Sequence, residues 1–234
     1  MNIFNVIKDK IGSLVTANDY QTTFFNERKV VQRRQQFVLN AHLPLSNRRD
    51  VQIKENGGTI EDIGKGFKLT ATSQTNSRAK IETRRRGNYI SGNISEGGIG
   101  VLPLSQPSGD AYMKWGLYKD ESGNITGPHW EFNKDGLEAV FTDQGTEVDR
   151  FNQSAFNLND FSGSKYNFDP LDGHLYQLAY GYYGFAQYQW EIGESWNDSK
   201  DYSALPVHLY RRKGALSITD PNLPLAVEVF SGTS

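Results

Sequence analysis

The residues of this 234-residue chain that could do chemistry are few and dispersed. His42, His129, His174 and His208 lie far apart, and none has a second His, Asp or Glu at metal-ligand spacing. His174, close to Asp172, suits a hydrogen bond within a turn. Asp120, Ser122 and Asn124 place oxygen ligands at alternating positions, partly as a calcium loop does. The glycine is misplaced, however, and no Glu closes the site at the twelfth position, so a hairpin turn is the better reading. Gly97-Gly98-x-Gly100 lacks the Lys-Ser/Thr and the helix start of a phosphate loop. No Gly-x-Ser-x-Gly elbow is present. Glu191 and Glu194 are the nearest approach to a glycosidase pair, but three residues apart on a strand they point to opposite faces. No catalytic residue, cofactor or metal site is therefore expected. A glycoside hydrolase or lyase on a β-sandwich stays as the more distant alternative.

The aromatic residues offer a different chemistry. Exposed Trp and Tyr rings stack on sugar faces, and Trp130, Tyr183, Trp196 and Tyr202 are the candidates for that role. The competing reading makes the same rings core or loop anchors, as aromatic residues usually are.

The elements that must position these groups read as strands. In residues 174–182 Tyr176, Leu178, Tyr180 and Tyr182 alternate with Gln177, Ala179 and Gly181. In residues 186–192 Ala186, Tyr188, Trp190 and Ile192 alternate with Gln187, Gln189 and Glu191. Two adjacent half-buried strands with a glycine-bearing bend explain this pattern. A one-residue slip would send every ring to the wrong face. Further strands are expected at residues 36–43, 51–53, 59–63, 67–72, 79–86, 111–118, 130–132, 137–141, 207–210 and 225–230. Turns fall at Asn56-Gly57, Lys65-Gly66 and Asn76-Ser77, with an Asp135-Gly136 signal for a type I′ hairpin. The glycine-rich run 92–100 is given no strand. Residues 142–172 read as short strands and polar loop, their Phe residues packed down over a sheet.

Composition agrees with this pattern. Hydrophobic residues make up 37% of the chain and aromatics 12%, enough for a core rich in β-favouring side chains. The 23 glycines and 8 prolines supply turns, and long helical patterns are scarce. The fold class expected is all-β, an antiparallel β-sandwich, with residues 1–34 as an N-terminal arm and 35–234 as the sandwich domain. Within the arm Ile3, Phe4, Ile7, Ile11, Leu14 and Val15 approach a helical stripe, suited to packing on its own sandwich or on a neighbouring subunit. There is no cysteine, which removes disulfides and thiolate chemistry. No apolar run spans a bilayer, and Lys8, Asp9 and Lys10 interrupt any secretory signal, so no membrane partner is expected.

The net charge of −2 hides an asymmetry of +7 over residues 1–100 and −9 over residues 101–234. It would suit nucleic-acid binding, head-to-tail subunit contact, or simply two solvated faces. The basic runs Arg33-Arg34, Arg48-Arg49 and Arg84-Arg85-Arg86 sit at strand ends without interleaved aromatics, which argues against a nucleic-acid partner.

Trp115-Gly116-Leu117-Tyr118-Lys119-Asp120 opens a longer pattern of strand and turn residues. It continues through Gly136-Leu137, Phe156-Asn157, Leu171-Asp172-Gly173-His174-Leu175-Tyr176-Gln177 and Tyr183-Gly184-Phe185. It closes with Pro206-Val207-His208 and Pro221-Asn222-Leu223-Pro224. Over roughly residues 78–232 this order resembles a family of virion proteins of tailed phages and large DNA viruses. The acidic turn is poorer in Asp here, and Phe185 stands where a second Gly is usual. The resemblance implies a concanavalin-like or jelly-roll sandwich in a capsid, tail or fibre, without enzymatic activity. It further implies a homo-oligomer, other virion proteins as partners, and a virion location after assembly in the host cytoplasm. The leading expectation is thus a virion structural protein, with a carbohydrate-binding module or receptor-binding fibre head as the alternative.

Overall fold

The computed structural model describes residues 43–90, 94–162, 168–181, 187–194, 203–212 and 218–233. The chain divides into two units, Met1–Gln35 and Gln36–Ser234, and all described residues belong to the second. The expected arm and the strand at 36–43 lie outside the described residues.

Among these residues the fold is an antiparallel β-sandwich without α-helix. The larger sheet runs β1 (Asp50–Glu55), β4 (Arg78–Thr83), β14 (Leu225–Phe230), β6 (Tyr112–Leu117), β8 (Asn124–Asn133), β9 (Gly136–Asp143) and β10 (Thr146–Asn152). The short β7 (Lys119–Glu121) adds to β8. The smaller sheet runs β13 (Ser203–Arg211), β12 (Gln187–Glu194), β11 (His174–Gly181) and β5 (Ile94–Val101). A separate hairpin, β2 (Thr59–Asp62) with β3 (Phe67–Thr70), completes the strands. Single 3₁₀ turns sit at Gln153–Ala155 and Pro170–Asp172.

The alternation over residues 174–192 is realised as β11 and β12, paired Leu178 to Trp190 and Tyr180 to Tyr188. Every second residue of β11 from His174 to Tyr180 is buried. Facing them from the larger sheet are Trp115 and Trp130, their rings 4.9 and 5.5 Å from that of Tyr176. Phe141 lies 4.3 Å from Tyr188. The indole N–H of Trp190 donates across the core to the His129 carbonyl at 3.0 Å. A smaller cluster of Ile60, Ala79 and Ile81 fills the space under the β2–β3 hairpin. The aromatic loop after β10 packs as expected, with Phe156 and Phe168 in the core and Phe161 stacked on Phe168 at 4.4 Å.

Glycine lets the two sheets approach. A Cβ on Gly116 would stand 2.5 Å from Cδ1 of Leu178, and one on Gly97 would stand 2.7 Å from Cδ2 of Leu117. Each leucine thus occupies the space its facing glycine leaves empty. The glycine-rich run at 94–101 is accordingly a full strand, β5, and not a break. Strand content there is hidden because Gly weakens the β pattern.

Other boundaries also differ from the sequence reading. Thr83 ends β4, so Arg84, Arg85 and Arg86 lie beyond the strand. Strand β13 is longer than residues 207–210 and includes Pro206, which an edge position with a register shift tolerates. The hairpin at residues 133–136 is not type I′, since only Gly136 takes positive φ (+109°). A type I turn closed by a glycine in that conformation fits these angles.

Replacing Gly116 with Ala should destabilise the protein by about 3 kcal/mol, since it adds a steric clash at a φ of +145°. Chemical denaturation measures this, and a loss below about 1 kcal/mol would show that the sheets separate without strain.

Candidate functional site

Two regions gather polar side chains that the sequence disperses. The first is the outer face of the larger sheet. Strand register sets Lys80 beside Glu228, Glu228 beside Lys114, Lys114 beside Glu131 and Glu131 beside Glu138. Arg78 Nη2 donates to Asp120 at 2.5 Å and to Glu228 at 2.9 Å, while the Tyr112 hydroxyl donates to Glu228 at 3.0 Å. Arg150 Nη1 donates to Glu131 at 2.8 Å and also to Glu138, and its other nitrogens bind Glu147 at 2.7 and 2.9 Å. Lys80 and Glu228 are each only 1% exposed. Burial pushes the Lys114 ammonium down from its ordinary value, against the pull of Glu228 and Glu131. His129, also buried on this sheet, is held well below its ordinary value by desolvation and then by Lys114. Each acid here is bound by a neighbouring base, so the row reads as a cross-strand lattice that fixes strand order.

The second region is an open cleft of about 380 Å³ at one end of the sandwich, lined by Lys119, Glu121, Asn124, Thr126, Gln144 and Thr219. Three loops build it. The β7–β8 turn and the β9–β10 turn lie side by side, locked by Gly145 N–H donating to the Ile125 carbonyl at 2.8 Å. Gln144 N–H donates to Thr126 Oγ1 at 3.0 Å. From the third loop, Thr219 Oγ1 donates to Asp143 at 3.0 Å, and Arg212 holds the same carboxylate at 2.8 Å. Lys119 Nζ donates to Asp220 at 3.0 Å and lies 3.3 Å from Glu121. Bonding to Lys119 holds the Glu121 carboxyl below its usual range. At Asp220, partial burial pushes up, but the Asn222 N–H and Lys119 outweigh it and leave the carboxyl lowered.

Ser122 and Gln144 take positive φ, +56° and +51°, at the tips of the two turns. Such conformations cost energy in non-glycine residues and persist where neighbours over-determine them. The exposed side-chain amides of Asn124 and Gln144 have no hydrogen-bond partner among the described residues. Both residues line the cleft on this braced frame, with Asn124 Oδ1 lying over Gly145 of the neighbouring turn.

The residues singled out from sequence are placed differently. Trp130 is fully buried, with Phe156 5.9 Å and Tyr176 5.5 Å away, so its ring belongs to the core and has no face open to a sugar. Tyr183, Trp196 and Tyr202 lie outside the described residues, as does His42. His174 bonds the Asp169 carbonyl at 2.6 Å and not the Asp172 side chain. Glu191 accepts from Gln189 at 2.7 Å and is nearly buried. Among the described residues no three His, Asp or Glu side chains converge as metal ligands, and no helix is long and apolar enough to cross a membrane. Sequence reasoning saw Asp120–Asn124 as a turn but missed the cleft, whose lining comes from three separate segments.

No family model and no curated protein matches the chain. Among solved structures it is similar to a legume lectin-like domain from Entamoeba histolytica, at 10% identity and a TM-score of 0.46, covering 80% of this chain and 84% of that one. It is also similar to the metal-free carbohydrate recognition domain of Emp46p, at 9% identity and 0.46, covering 83% and 88%. The metal-free exoplasmic/lumenal domain of VIP36 follows at 9% and 0.44, covering 82% and 83%. At these values the likenesses carry no argument about a ligand.

The lowered Asp220 and Asp120 carboxyls give a pH dependence. Their stabilisation is present above the unfolded value of about 3.9 and lost as pH falls through the lower folded values. Denaturation midpoints should therefore drop as the solution is acidified below about pH 4. Asp220→Asn should flatten part of that acid slope, and an unchanged slope would remove Asp220 from the account.

Proposed function

We propose that the chain is a recognition module that binds a glycan without turnover, in the cleft at the end of the sandwich. The observation that carries this is the pair of exposed amides, Asn124 and Gln144, lining the cleft on turns braced by Thr126 and Asp143. Sugar hydroxyls are both donors and acceptors, and side-chain amides answer them with both kinds of group. Loops held by a rigid scaffold are also where binding residues concentrate. Thr219 and the Lys119–Glu121 pair add a hydroxyl and fixed charges along the same wall.

A second reading is a structural component of a virus particle, in line with the resemblance over residues 78–232. Its support is the sequence resemblance itself, whose residues take structural places in the fold. Gly116 admits Leu178, Asn157 bonds both the N–H and the carbonyl of Leu209, and the Pro221 carbonyl accepts the Tyr180 hydroxyl. These contacts bear on the fold alone. The two readings meet in a receptor-binding fibre head. Immunogold labelling of virus particles with antibodies to the purified chain tests the second.

A glycan array followed by calorimetry tests the first. Double substitution of Asn124 and Gln144 by Ala should weaken a bound glycan by about 10- to 100-fold, at about 1 kcal/mol per lost hydrogen bond, with the fold intact. Absence of any retained glycan, or equal affinity in the double variant, would reject the cleft as the site.

A further inference from the structure

The edges of the two sheets are treated unequally. Strand β10 carries a register shift between Glu147 and Asp149 and charges at Glu147, Asp149 and Arg150. Strand β1 ends in Lys54 and Glu55. Strand β13 contains Pro206 and a register shift, and the Asn157 side chain takes up Leu209 N–H and carbonyl while Leu158 and Asn159 N–H donate to the Val207 carbonyl. Bulges, charges, proline and loop cover are the devices by which sheets prevent edge-to-edge pairing.

Strand β5 has no proline and no register shift, and it carries a single charge. It pairs in unbroken register with β11 over eight residues, from Ile94 opposite Gly181 to Val101 opposite His174. Among the described residues nothing pairs with its other side. Its one charged residue, Glu96, accepts a hydrogen bond from Gln177 of its own sheet. Apolar side chains stand exposed at both ends, Ile94 at 37% and, just beyond the strand, Leu102 at 60% and Leu104 at 77%.

We propose that β5 is a self-association edge, pairing antiparallel with β5 of a second copy of this chain to join the smaller sheets into one of eight strands. The sequence of the strand is self-complementary under a two-fold axis. With the axis at Gly98, Gly98 of one copy faces Gly98 of the other, Glu96 faces Gly100, and Ile94 faces Leu102, so opposed side chains share a face. Apolar residues meet at both ends, glycines meet in the middle, and no like charges are opposed. Lone strand pairing buries less than a standard interface, so the dimer is weak and forms with rising concentration. The inference stands apart from the glycan reading, because β5 contributes no residue to the cleft.

Sedimentation velocity over a wide concentration range tests it on the full chain, with Gly98→Lys as the variant. A Cβ at Gly98 finds its nearest neighbour, the Tyr176 carbonyl, at 3.5 Å, so the fold accommodates the change. Two lysines then face one another across the axis, and dimerisation should weaken by about tenfold or more. An equimolar mixture of Gly98→Lys and Gly98→Glu chains should associate again, a recovery that a misfolded variant would not give. A wild-type chain that stays monomeric at every concentration, leaving the edge to a strand of another protein, overturns the proposal. So does a dimer indifferent to Gly98→Lys, or a mixture that fails to recover.

Discussion

The sandwich depends on a reciprocal fit of leucine into glycine between its two sheets. Leu178 of β11 fills the space over Gly116, and Leu117 of β6 fills the space over Gly97. Because Leu117 follows Gly116 in sequence, and Leu178 is the cross-strand partner of Gly97, the two fits are locked to each other. Full burial of one leucine side chain is worth about 2 kcal/mol, which a methyl group within 3 Å would forfeit. Closing that gap also brings Tyr176 against Trp115 and Trp130, and aromatic pairs at such distances add to the area they bury. Only one indole of these three buried tryptophans finds a hydrogen bond, that of Trp190 on the His129 carbonyl. The core therefore holds by shape first and by polar contacts second.

Charge is organised by strand order in a way the linear sequence conceals. The split between a basic first part and an acidic remainder looks like two faces or two partners. In the fold, β4 from the basic part lies beside β14 from the acidic part, and Arg78 reaches Glu228 and Asp120. Arg86 and Lys119 likewise share Asp220 and Glu121. Much of the asymmetry is thus spent inside one sheet. Buried ion pairs of this kind contribute little net stability, but removing one partner is costly, so they penalise wrong strand neighbours.

This also explains what the sequence did and did not reveal. Strands β11, β12 and β14 were legible because branched and aromatic residues keep a period of two. Strand β5 was not, because its three glycines erase the alternation that pairing with β11 later imposes. Trp130 shows a second limit. Period two says which residues share a face, but which face meets the other sheet depends on partners distant in sequence. The cleft was invisible for the same reason, since Asn124, Gln144 and Thr219 converge only after β8 and β9 pair and residues 218–220 fold back onto Asp143.

The same partition of polar groups argues for where recognition can occur. On the outer face of the larger sheet, Arg150 is divided among three glutamates and Arg78 between two strands, so a ligand there would have to displace existing ion pairs. Displacing them would leave charges of very low exposure without partners, a cost of several kcal/mol. At the loop end, the donors and acceptors that brace the turns belong largely to backbone, Thr126 and Asp143, which leaves the amides of Asn124 and Gln144 uncommitted within the described structure. A ligand can bind there without undoing what holds the fold. Binding at the sheet face would compete with folding, whereas binding at the turns is independent of it.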